Sequence, residues 1–106
     1  MRFYRNIYVS EGLRNQLWKI KWKLKHHKHM LGIYVIVLPE HSNELEFYHC
    51  EYLQQDYYKK HAPYIVGIAG SWEESCKLIA RMMMDTFEQY GNYYVGEYIR
   101  NSVSNY

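Results

Sequence analysis

Apolar and polar positions change their spacing along this chain, and each spacing names an element. Residues 3–9 mix aromatic and β-branched side chains and read as a candidate N-terminal strand. Ser10 follows as a candidate helix cap, with Glu11 in the first turn. Residues 13–25 fit two templates. Trp18, Ile20, Trp22 and Leu24 alternate with Lys19, Lys21, Lys23 and Lys25 as in a half-buried strand. Leu13, Leu17, Ile20 and Leu24 also form a helical stripe. The flanking residues are good helix formers and the run is long for a strand, so helix is the preferred reading. On that helix Trp18 and Trp22 lie roughly opposite the leucine stripe, at 100° per residue.

Residues 31–38 are continuously apolar, as in a strand buried on both faces, and Pro39 stops them. Residues 40–44 make a polar turn, and residues 45–50 alternate as a returning antiparallel strand. Residues 51–61 read as a loop with at most one helical turn. Residues 64–69 form the next strand, which Gly70 turns. Ser71 and Glu74 then make a capping box for a helix ending at Tyr90, before Gly91. Its predicted core stripe is Trp72, Cys76, Ile79, Met83, Phe87 and Tyr90. Asn92 is positioned to cap a last helix over residues 93–102, burying Val95, Tyr98 and Ile99.

The expected architecture is one α+β domain spanning residues 1–106, of order (β)αβββαα. It is a two-layer sandwich, with helices on one face of a small, mainly antiparallel three-stranded sheet and residues 3–9 as the candidate fourth strand.

Charge adds what the pattern does not. Residues 1–30 carry a net +7 and residues 31–106 a net −5, which the overall +2 conceals. Residues 14–29 hold six Lys or Arg, three histidines and no acid. One element therefore carries a dense positive field in an otherwise acidic chain. Two tryptophans on its outer face need a cover: the C-terminal helix, a second subunit or a ligand. Arg14, Trp18, Lys21, Trp22 and Lys25 are the candidate interaction residues. Exposed tryptophan and arginine are enriched at interface hot spots. The positive helix of one subunit could lie against an acidic surface from residues 40–56 or 73–88 of another. The alternative is nucleic acid, with lysines on phosphates and indoles stacked on bases.

Other chemistry finds little footing. His26, His27 and His29 lack the paired cysteine or histidine clusters of a closed zinc site, so no metal is expected. His49 and Cys50 are strand neighbours whose side chains point apart, so no cysteine nucleophile is expected. The 67–71 segment has neither the Walker nor the dinucleotide glycine pattern, and Ser71 reads as a cap rather than an anion site. No paired carboxylates are placed for acid–base work. The chain is thus expected to be no enzyme and to use no cofactor or small-molecule ligand. Thirteen tyrosines suit half-buried sheet and partner-facing surface alike. No leader-like or membrane-spanning apolar run is present, so a cytoplasmic protein with Cys50 and Cys76 reduced is expected, with no membrane partner. The partner is expected to be a second copy, as a homodimer, or another protein.

The opening Arg2-Phe3-Tyr4-x-Asn6-x-Tyr8-Val9-Ser10-Glu11 and the later Val66-Gly67-Ile68-Ala69-Gly70-x-x-Glu73-Glu74 resemble a group of uncharacterised bacterial proteins of about one hundred residues. The resemblance implies a bacterial cytoplasmic protein of unknown function and supplies no catalytic residue.

Overall fold

The computed structural model describes residues 1–104. The strands are β1 (Arg2–Val9), β2 (Tyr34–Val37), β3 (Glu46–His49) and β4 (Tyr64–Ala69). The helices are α1 (Leu17–Lys25), α2 (Asp56–Lys60), α3 (Trp72–Tyr90) and α4 (Val95–Ser104). The α+β class stands. The sheet has four strands in the order β1-β4-β2-β3, so the N-terminal segment is a full strand. Two pairings are antiparallel, and β1 runs parallel to β4.

The helices are divided between the two faces, where the pattern had suggested one. Ile20 and Leu24 of α1 pack with Val35, Val37, Ile65 and Ile68 on one side. Met82, Val95 and Ile99 of α3 and α4 pack with Ile36 and Val66 on the other. The alternation of β2 therefore feeds two cores, which is why its apolar run is unbroken. A bulge in β4 supports this. One step of β2, from Ile36 to Val37, spans two steps of β4, from Gly67 to Ile65. An extra residue of this kind breaks the simple alternation. Gly67 fits there because a Cβ would stand 2.8 Å from Ile36 Cδ1 and 3.0 Å from Met82 Cε.

Several boundaries differ from the pattern. Residues 11–16 are a 3-10 helix, and the α-helix begins at Leu17. Ser10 makes no side-chain cap; its buried Oγ accepts from the Gly70 amide at 3.2 Å, tying the end of β1 to the end of β4. The strand expected over residues 31–38 keeps only Tyr34–Val37, and Gly32 turns with φ 71°. Residues 50–54 form a second 3-10 helix, which precedes α2.

Helix α3 starts and stops where the sequence says. Ser71 Oγ accepts from the Glu74 amide at 3.0 Å, and Gly91 closes the helix with φ 72°. Its fully buried row is Ser75, Met82 and Thr86; of the predicted stripe Ile79 and Met83 pack partly buried against the same cluster, while Trp72, Phe87 and Tyr90 stay exposed. The two hydroxyls are satisfied within the helix, Ser75 Oγ donating to Ser71 O at 3.0 Å and Thr86 Oγ1 to Met82 O at 2.7 Å. Small, internally bonded residues let the helix lie close on the sheet. Helix α4 also starts differently. Asn92 Oδ1 accepts from Tyr94, while Asn43, from the β2–β3 turn, accepts from the Glu97 amide at 3.1 Å. Gly96 permits that approach, since a Cβ would stand 2.2 Å from Ser42 O.

Candidate interaction helix

Residues 18–25 are helical, which decides between the two templates the alternation allowed. Ile20 and Leu24 are buried and Leu17 is partly so, which fixes the inner face of α1. Burying each such side chain contributes about 1.5–3 kcal/mol. Trp18 and Trp22 lie about 160° around the helix from that pair. They are 74% and 52% exposed, so no other part of the described chain encloses them. The Trp22 ring lies 4.3 Å from that of His26, one turn further along.

The cations flank this aromatic ridge. Lys21 and Lys25 lie on the side toward β1, their Nζ atoms 5.5 and 5.8 Å from the centroid of the Phe3 ring. Lys19 is exposed and Lys23 half-buried on the other side. Arg14 is exposed in the preceding 3-10 helix. Of the five residues singled out from sequence, Trp18, Trp22 and Lys25 are exposed on α1, Lys21 is half-buried toward β1, and Arg14 lines a separate cleft with Glu74 and Arg81 of α3. Among the described residues the ion pairs are His29–Glu51 at 2.5 Å and Lys77–Glu74 at 3.6 Å, and neither reaches α1. Among the described residues no acid forms an ion pair with a lysine of α1.

The end of α1 is anchored by groups the pattern did not reveal. His27 takes a positive φ of 53° and breaks the helix without a glycine. Gln54 Nε2 donates to His27 O at 3.1 Å. Glu51 holds both His29 Nδ1 and the Met30 amide. The hydrogen bond from His29 keeps the Glu51 carboxyl below the usual carboxylate range. His29 is therefore a strut between α1 and the segment after β3. Among the described residues no group of three His, Cys, Asp or Glu converges as a metal site.

Cys50 is buried and its Sγ donates to Met30 O at 3.5 Å; burial pushes the thiol up to about 11, away from the reactive thiolate. Cys50 and Cys76 are both unpaired. At the 67–71 segment the Gly70 amide bonds to Ser10 Oγ and the Glu74 amide to Ser71 Oγ, so Ser71 acts as a cap.

A concave surface escaped the sequence reading. A cleft of about 430 Å3 at one end of the sheet is walled by Tyr48, Tyr57, Tyr58 and Tyr64, with Glu40 and Glu46 at its margin. Burial, then the bond to Tyr58, raises the Tyr48 phenol well above its usual value. The signal available was compositional: residues 31–58 hold five acids and no Lys or Arg.

No helix among the described residues is long and apolar enough to cross a membrane. No protein-family model matches the chain. No curated protein and no solved structure matches it either.

Proposed function

We propose that this chain is a noncatalytic interaction module that associates with itself through α1. The observation that carries this reading is the exposure of Trp18 and Trp22 on the outer face of a helix whose inner face is already buried. Exposed indoles leave apolar surface in water, and covering it with a partner recovers that free energy. Lysines on both sides would set orientation through an acidic partner surface. A bacterial cytoplasmic setting belongs to the same proposal and suits two unpaired thiols. Sedimentation velocity over a salt series tests it. A concentration-dependent dimer that weakens as salt rises is expected. A strict monomer at high protein concentration and low salt would remove the reading.

A nucleic-acid-binding accessory role is the second reading. It is favoured by the lysines of α1 having no acidic partner among the described residues. Fluorescence anisotropy with single- and double-stranded oligonucleotides tests it. Binding through phosphates must weaken steeply with salt, and affinity indifferent to salt would count against it.

A further inference from the structure

A basic, convex helix in search of an acidic surface has two candidate seats on its own chain, near residues 40–56 and 73–88. Helix α3 contributes the second. It mixes four acids there with Lys77 and Arg81, and Lys77 already pairs with Glu74 at 3.6 Å. The first is uniform. Residues 31–58 hold five carboxylates and no cation, against six cations and no carboxylate in residues 14–29.

Shape points the same way as charge. The tyrosine-walled cleft is built largely from the acidic segment, and exposed Glu40 and Glu46 line it together with Arg2 and His61. Its rings already hold one cation: the Arg2 guanidinium stands 4.7 Å from the centroid of Tyr64. A positive charge over a tyrosine face is attracted by the ring quadrupole. Tyr57, which also lines the cleft, is exposed, and Tyr58 is half-buried.

We infer that this cleft is the seat of α1 from a second copy of the chain. The inference rests on the self-association reading and names the surface it uses. A helix is about 10 Å across, so the cleft takes side chains rather than the helix itself. Lysine ammonium groups from the flanks of the ridge enter against the tyrosine faces, Glu40 and Glu46. Trp18 and Trp22 close over the margin and exclude water, which strengthens each charge contact. Tyr48 and Tyr58 pack against the same hydrophobic cluster as Ile20 and Leu24. Leu38 and Tyr64 of the cleft belong to the cluster on the other side, so the cleft opens at the end of the sheet, and a two-fold dimer can make the contact twice.

Zero-length carbodiimide cross-linking of a mixture of 14N- and 15N-labelled full-length protein at low salt tests this directly. Mixed-isotope cross-links joining lysines of residues 19–25 to Glu40 or Glu46 are expected. Glu40→Lys/Glu46→Lys should weaken the dimer by about tenfold or more. Adding Lys19→Glu/Lys25→Glu to the same chain should restore it. Glu73→Lys/Glu88→Lys should leave it unchanged. All these side chains are exposed, and circular dichroism checks that each variant is folded. A dimer untouched by Glu40→Lys/Glu46→Lys, or mixed-isotope cross-links running to residues 73–88 instead, would overturn the cleft while leaving self-association standing. A wild-type chain that never dimerises would end both.

Discussion

Helices α1 and α3 are both amphipathic, yet α1 buries the stripe its pattern names while α3 draws only Ile79 and Met83 of its stripe partly into the core. In α1 a narrow stripe, Ile20 and Leu24, is hemmed by lysines, and that stripe is the one buried. In α3 the apolar arc is much wider. Trp72, Cys76, Met83 and Phe87 lie about 90° around the helix from Ser75, Met82 and Thr86. Trp72 stays 60% and Phe87 45% exposed. A stripe bounded by charge on both sides has one orientation that keeps every charge wet. An arc bounded on one side has several, and close packing on the bulged strand β4 selects among them. The lesson is that charge, rather than hydrophobicity, specifies which face of a helix turns inward.

The comparison can be broken most sharply in the cores. Leu24→Ala and Met82→Ala should each cost about 2–5 kcal/mol in urea unfolding, since both leave cavities in packed surroundings. Phe87→Ala, on the stripe the pattern favoured, should cost about 1 kcal/mol or less. Equal losses for Met82→Ala and Phe87→Ala would mean that the apolar arc of α3 is covered after all.

The inner row of α3 offers the next test. Ser75→Leu makes the helix more hydrophobic yet should destabilise by about 1–3 kcal/mol, because the position is fully buried against the sheet. A stabilising result would restore the simpler pattern-based account. Ser10→Ala removes the bond to the Gly70 amide and should cost about 1 kcal/mol in the same assay.

The anchor of α1 should show its own pH dependence. Glu51 has a folded pKa below its unfolded value, held there first by the His29 hydrogen bond. Its stabilisation is present above the unfolded carboxylate value of about 4.3 and is lost as pH falls through the folded value. Thermal melts of wild type and Glu51→Gln should therefore differ at neutral pH and converge in acid. Parallel curves would deny Glu51 that role.

The smallest stability effect belongs to the ridge itself. Trp18→Ala/Trp22→Ala should shift unfolding by no more than about 0.5 kcal/mol, while abolishing self-association in sedimentation velocity. A large loss of stability would place the indoles inside the fold.

Much of this was legible in order along the chain. The break at Pro39, the Ser71 cap and the Gly91 stop depend on chemistry within a few residues, so they are where the sequence puts them. The two indoles opposite Ile20 and Leu24 were legible for the same reason, once residues 18–25 were taken as helix. The Ser10–Gly70 bond, the Asn43 cap on α4 and the Glu51 strut join positions 60, 54 and 22 residues apart. No local spacing announces such pairs. The tyrosine cleft is of this kind too, since β3, α2 and β4 each supply only part of its wall.

By itself, then, the sequence determined the order of the main strands and helices, the capping of α3, the polarity of charge and the two faces of α1. All of these follow from short-range sterics, backbone hydrogen bonding and the cost of burying a lysine. Only the tertiary structure decided that β1 pairs in parallel with β4, that helices cover both faces of the sheet, and that α3 turns Ser75 and Thr86 inward. Those outcomes depend on the bulge at Val66–Gly67 and on volumes matched across the sheet, which exist only after the chain has closed on itself.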